Sequence, residues 1–238
     1  MKLDILAFAA HPDDVELSCS GTILKHINQG KKAGVIDLTG GELGTRGNVE
    51  LRSKESEKAT KVLQLSAREN LGFADGFFTN DTIHQMEIIK RIRFYQPEII
   101  LCNAVRDRHP DHGRAAKLVS ESCFFSGLIK IETQFDGVKQ DVWRPQAVYH
   151  YIQDRYIKPD FVVDITDFFD KKMEAIMAFK SQFYDPMSKE PESPISSPDF
   201  FNFIKSRMAD FGRDIGAKYA EAFTVERNIG VSNLFDLI

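Results

Sequence analysis

The stretch "LDILAFAAHPDDVELSC" (3–19) constrains the fold more than any other part of the chain. Its apolar half reads as a short strand buried on both faces of a parallel sheet. One imidazole and three carboxylates follow at once, from His11, Asp13, Asp14 and Glu16. Charges where a buried strand ends are costly unless something offsets them, and a metal ion is the expected partner. Such a chain has to build a sheet whose strand ends carry its chemistry.

The pattern recurs. Strands over 3–9, 33–38 and 98–103 run into "AHPDD", "TGGELGTRG" and "RDRHPDH" respectively. Between them, Val15, Cys19, Ile23 and Ile27 recur at four-residue spacing and predict a helix from Val15 to Asn28, stopped by Gly30. A helix is expected over 51–65, with Leu51, Ala59, Val62 and Leu63 buried, then a short strand at "ENLGF" and a helix over 82–95. Another helix begins near Asp111. Later, "AVYHYI" and "FVVDI" read as strands and "DFFDKKMEAIMAFKSQF" as a helix. Residues 185–198 hold four of the nine prolines and read as a loop or flap, followed by a final helix over 199–221. The alternation predicts one α/β domain over 1–238: a Rossmann-like, doubly wound, mostly parallel sheet with helices on both faces.

A net charge of −4 argues against a nucleic-acid or anionic-membrane partner. Cys19, Cys102 and Cys123 are odd in number and set among apolar residues, so they read as reduced core residues of a cytoplasmic protein. The N-terminal apolar stretch is too short for a signal peptide and is interrupted by Asp4. No run approaches the roughly 18 apolar residues of a membrane span.

Doubly wound sheets place their sites at the carboxyl ends of the strands, so the first and third clusters are expected to meet. Three of the six histidines, His11, His109 and His112, lie in these clusters. The proline after His11 and after His109 stiffens each turn, and His109 and His112 share a helix face. Two imidazoles and one carboxylate with open positions form a hydrolytic metal arrangement. His11 and His112 would supply nitrogen and either Asp13 or Asp14 oxygen, the other aspartate serving as general base. The simpler reading is that Asp13 and Asp14 only cap the helix that follows.

Together, "AHPDD", "TGGE-x-G", Arg52-x-x-Glu55 and "RHPDH" resemble the PIG-L-like (LmbE-like) N-acetylglucosamine deacetylases, over essentially the whole chain. "WRPQAVYHYI", "FVVDIT", "FKSQF" and "AEAF" are similar to the branch acting on N-acetylglucosaminyl-malate in bacillithiol synthesis. The resemblance implies His11, Asp14 and His112 as ligands of Zn²⁺, or of Fe²⁺ or another divalent metal. It implies Asp13 as the base, and His109 as the group that meets the oxyanion or protonates the leaving amine. Amide hydrolysis requires these functions, and His109 is expected to stay protonated near the developing charge. Asp111 is a candidate to orient a histidine. Glu42, Arg46, Arg52 and Arg108 are candidates for an amino-sugar substrate, with Arg108 first and Arg52 next for the malate carboxylates. The glycine-rich turn is expected to expose Glu42 and backbone amides to that substrate. Family members commonly form homo-oligomers. A different N-acetylglucosamine conjugate or a short chitooligosaccharide would use the same chemistry. The rivals from other classes are a non-haem iron oxygenase built on His11, Asp13 and a distant histidine, and a sugar-binding protein without catalysis.

Overall fold

Every residue of β1 (Ile5–Ala9) is buried, as an apolar run without alternation requires of a central parallel strand. The computed structural model describes residues 1–237. After β1 the chain forms α1 (Asp14–Ser18), α2 (Ser20–Asn28), β2 (Ala33–Thr39), α3 (Val49–Leu63), β3 (Ala67–Phe73), α4 (Thr82–Tyr95), β4 (Ile99–Cys102) and α5 (Pro110–Ser126). A small hairpin, β5 (Gln134–Phe135) and β6 (Val138–Lys139), precedes β7 (Ala147–Tyr151) and β8 (Phe161–Asp164). The chain closes with α6 (Phe169–Ile176), α7 (Phe200–Arg213) and β9 (Ala220–Val225).

The main sheet has the order β3-β2-β1-β4-β7-β9-β8. All pairs are parallel except those made by β9, which runs antiparallel to both neighbours. The expected α/β class and mostly parallel sheet are what the chain adopts. Alternate residues of β1 divide between the two faces. Leu6 and Phe8 pack with Ile88 and Ile92 of α4 and Leu118 and Val119 of α5. Ile5, Ala7 and Ala9 pack with Val15, Cys19 and Ile23. The strand order reverses between β1 and β4, so the "AHPDD" and "RHPDH" turns flank one crevice at the carboxyl edge. All three cysteines are free and buried. Among the described residues no helix is long and apolar enough to cross a membrane.

Four expectations need correction. The helix predicted over 15–28 breaks at Cys19 (φ −142°, ψ 12°) into α1 and α2. Distant charges satisfy the groups freed there. Lys172 Nζ donates to the carbonyls of Glu16 (3.1 Å) and Leu17 (2.8 Å), and Glu221 accepts from the amides of Gly21 (2.9 Å) and Thr22 (2.6 Å). Lys172 and Glu221 pair at 2.6 Å, and Lys172 is 0% exposed. In α3, Leu51 is exposed and Val62 half-buried, whereas Arg52 and Glu55 join Ala59 and Leu63 in the interior. The long helix predicted from 167 stops at Ile176, where the chain departs to bury Phe179 and Phe183. Likewise α7 ends at Arg213, and the residues from Ala220 form β9.

Removing one partner from a buried, hydrogen-bonded ion pair strands the other charge. Lys172→Ala is therefore expected to lower unfolding free energy by about 3–5 kcal/mol in urea titrations. A loss near zero would show that Glu221 finds another partner.

Candidate active site

Two turns build the site. After β1, Asp13 adopts φ 116°, a left-handed conformation rare for a non-glycine residue and costing roughly 1–3 kcal/mol. Asp13 stands at the start of α1 yet makes no side-chain cap, and Asp14 turns back to accept from the His11 amide (2.9 Å). The pair therefore does not serve as a helix cap. After β4, His109 caps α5, with Pro110 as the first helical residue, and its Nδ1 accepts from the Asp111 amide (3.3 Å).

The three histidines converge, with ring centroids 4.6 Å apart for His11 and His109, 5.6 Å for His11 and His112, and 5.4 Å for His109 and His112. Asp14 lies between two of them, with Oδ2 3.6 Å from His11 Nδ1 and Oδ1 3.2 Å from His112 Nε2. The far side of each of these rings is held by a carboxylate. His112 Nδ1 is 2.5 Å from Asp107 Oδ2, and His11 Nε2 is 2.9 Å from Asp75 Oδ1 and 3.5 Å from Asp111 Oδ2. With the other nitrogen of each ring so engaged, His11 Nδ1 and His112 Nε2 are the nitrogens that face Asp14 and would offer lone pairs to a cation on losing a proton.

Charge follows this arrangement. Burial opposes the His112 imidazolium, but Asp14 and Asp107 outweigh it and raise the group to about 9. Burial also opposes charge on His11, and its hydrogen bonds with Asp111, Asp14 and Asp75 raise it well above the ordinary range. Asp14 is held well below the carboxylate range, since the charges of His112 and His11 overcome its burial. Asp13 differs. Burial pushes it up to about 7 against the pull of Arg52, with Asp14 adding to the rise. His109 is lowered by burial and by the charges of His11 and His112. Its surroundings favour the neutral ring, with Nε2–H as donor, over the protonated form expected from the sequence.

The remaining candidates separate. Arg52 is buried and donates to Asp13 Oδ2 (2.9 Å), Pro12 O (2.8 Å) and Gly41 O (3.3 Å), so its fork is turned to the aspartate next to Asp14. Gly41 (φ +67°) is required here, because a Cβ would run into Arg52 Nη1. Glu42 lies outside the cavity and accepts from the Asp75 amide (2.7 Å), while Asp75 Oδ2 accepts from the Leu43 amide (2.9 Å). The glycine-rich turn thus frames Asp75 and Arg52, and the Leu43 amide and Glu42 are not presented to a ligand. Asp111 accepts from the Gly76 amide (2.8 Å) and pairs with Arg114, besides facing His11. Arg46 and Arg108 both line a cavity of about 270 Å³ that also exposes His11, Asp13, Asp14, His109 and His112. Its far wall is apolar, formed by Phe200, Phe203, Ile204, Met208 and Phe211, and Arg207 joins the arginines there. Ser193, Pro194 and Ile195 bring the proline-rich loop to the rim. Asp75, Asp107 and Arg207 escaped the sequence reading. Asp107 and Asp75 each lie just past a strand, which is the one signal that points to them.

The model of the PIG-L family, described as GlcNAc-PI de-N-acetylase, matches residues 6–123. Over 98% of each chain, a conserved protein of Thermus thermophilus is 30% identical and superposes with a TM-score of 0.86. The chain belongs to the PIG-L family. Among curated relatives, the diacetylchitobiose deacetylase of Thermococcus kodakarensis is 29% identical over 91% of this chain and 80% of its own length. A 4-oxalmesaconate hydratase of Pseudomonas putida is 27% identical over 74% of this chain and 73% of its own. A probable N-acetyl-alpha-D-glucosaminyl L-malate deacetylase of Bacillus anthracis is 25% identical over 75% and 81%. These relatives span several substrates, so family membership leaves the bacillithiol branch as one possibility among them.

The PIG-L family implies a divalent cation, and the donor set fits one. Asp13, Asp14 and Asp75 line the cavity and Asp107 and Asp111 stand behind its histidines, whose raised protonation supplies compensating charge, a role a dication takes over. Donor atoms of His11, His109 and His112 lie within 4.8 Å of one another, as do those of His11, Asp75 and Asp111. His11 meets Asp14 through Nδ1 and Asp75 and Asp111 through Nε2, so both sides of its ring carry carboxylates. Metal analysis of equally folded proteins after chelation and reloading is expected to find Asp13→Ala loaded and His112→Ala depleted. Full loading of His112→Ala would remove that residue from the ligand set.

Proposed function

We propose that this chain is a metal-dependent amide hydrolase that removes the acetyl group from an N-acetylglucosamine conjugate, with N-acetylglucosaminyl-malate as the preferred substrate. The observation that carries the reading is the different treatment of two adjacent aspartates. Asp14 is surrounded by donors that keep it ionised, as a ligand must be, together with His11 and His112. Asp13 is poised near neutrality, as a general base must be. The bound cation, Zn²⁺ or another divalent metal, would polarise the amide carbonyl and acidify water.

The chain's residues then divide the proton chemistry. Asp13, steadied by Arg52, takes a proton from the attacking water. His109, which lines the cavity and engages its Nδ1 with the Asp111 amide, donates through Nε2–H to the oxygen on which charge develops. The proton held on Asp13 is available to the leaving amine, which departs as acetate is released. Asp75 stays fixed behind His11. Arg46, whose Nε is 3.7 Å from Glu190, and Arg108, whose Nε donates to Asp154 (3.0 Å), line the same cavity, and their remaining guanidinium nitrogens suit carboxylates on the aglycone. A diacetylchitobiose-type substrate is the second reading, favoured by the similarity to the Thermococcus enzyme.

Amine and acetate release should be measured on N-acetylglucosaminyl-malate, diacetylchitobiose and free N-acetylglucosamine, after chelation and Zn²⁺ restoration. Metal-dependent turnover of the malate conjugate well above the other two is the expected result. Preference for the disaccharide would select the second reading, and turnover of none would remove the amide-hydrolase proposal. The pH profile tests the base. Arg52 lowers the Asp13 pKa, so Arg52→Gln raises it, and the acid limb of kcat/KM is expected to move to higher pH. An unmoved limb would assign it to another group.

A further inference from the structure

Asn103, just past β4, and Gln153, two residues past β7, take no part in the chemistry above, yet both are fully or nearly buried against Asp14. Asn103 Nδ2 donates to Asp14 Oδ2 (3.0 Å) and to Gln153 Oε1 (3.0 Å). Gln153 Nε2 donates to Asp14 Oδ1 (2.9 Å). Backbone amides fix which end of each side chain is which. The Ala10 amide donates to Asn103 Oδ1 (2.9 Å) and the Ala104 amide to Gln153 Oε1 (3.1 Å), so the carbonyl oxygens must face those amides and both NH₂ groups must face Asp14.

A carboxylate oxygen has two acceptor sites. Oδ2 of Asp14 uses both, on the His11 amide and Asn103. Oδ1 uses one, on Gln153, and its second points to the His112 side at 3.2 Å. Asp14 is therefore left with a single lone pair not taken by an amide, the one on Oδ1 that faces His112.

We propose that Asn103 and Gln153 are a positioning pair that restricts Asp14 to one-oxygen ligation through Oδ1 and thereby sets the chain's affinity for a divalent cation. This rests on the reading of Asp14 as a ligand. The pair also couples the ends of β4 and β7 to β1, because Ala10, Asn103, Ala104 and Gln153 share one hydrogen-bonded ring around the carboxylate. A sheet strand that does not carry either HPD turn thus takes part in the site.

The test is cation binding, free of substrate. Zn²⁺ affinity of the metal-free protein is measured by competition with a chromogenic chelator, and Co²⁺ is added to report ligand geometry in its visible absorption. Gln153→Met keeps the side-chain length and removes the donor. It is expected to bind Zn²⁺ roughly 10- to 100-fold more weakly and to alter the Co²⁺ spectrum, as Oδ1 and Oδ2 become free to reorient. Equal affinity and an unchanged spectrum in folded Gln153→Met would overturn the proposal and leave the pair a packing role. Asp14→Ala separates the two levels of the argument, since wild-type affinity there would remove the ligand assignment itself. A measurement on the unaltered chain stands whether or not the variant folds. Zn²⁺ addition is expected to shift the side-chain amide NMR signals of Asn103 and Gln153, and unmoved signals would count against the pair.

Discussion

A carboxylate buried at the end of an apolar strand costs several kcal/mol unless donors meet it, and much of this structure is arranged to meet four of them. Asp14 is met by the His11 amide, Asn103 and Gln153. Asp13 is met by Arg52 from α3. Glu16, the third acid of the opening motif, turns away from the crevice and shares Arg68 of β3 with Asp37 of β2. Glu221 of β9 is met by Lys172 and by the first amides of α2. Each answer comes from a different element, so the strand order and the helix positions are tied to one small volume around the end of β1.

That dependence explains which parts of the fold were legible in the sequence. The strands Ala33–Thr39 and Ile99–Cys102 announce themselves by apolar runs, and the helix Thr82–Tyr95 falls where the sequence places it, over 82–95. The two HPD turns, with the inference that their strands share an edge, were enough to bring the three histidines and both aspartates into one crevice. What escaped was decided by partners far along the chain. Nothing near Cys19 signals a helix break, because the groups that stabilise it are Lys172 and Glu221. Arg52 and Glu55 stand out as a motif, with Arg52 a candidate for the malate carboxylates, but their interior place is set by Asp13 and by Ser181, which Glu55 holds by its amide (2.8 Å) and hydroxyl (2.7 Å). β9 was hidden because the helix predicted over 199–221 runs past Gly212 and Gly216 into its first residues.

The site separates neighbouring residues of one type by what surrounds them. Asp13 and Asp14 are chemically the same group one residue apart, yet a left-handed turn at Asp13 sends their carboxyls to different hosts. Amides surround one, and the Arg52 guanidinium meets the other. His109 and His112 separate in the same way. Asp107 stands behind His112, whereas His109 caps a helix with its Nδ1 and feels the charges of His11 and His112. Such contrasts are legible in a structure and invisible in spacing, which treats the members of each pair alike.

The bonds from Glu221 to the amides of Gly21 and Thr22 join residues 200 and 199 positions apart. During synthesis the first forty residues can form β1 and β2 early, but the break between α1 and α2 has no charged partner until Lys172 of α6 has emerged, and lacks Glu221 until the last strand has. Contacts of such long range are slow to form, since loop closure must precede their reward. The loop that carries Asp13 and Asp14 is therefore among the first segments translated and among the last to be locked, and competence of the crevice reports that the chain has been built through β9.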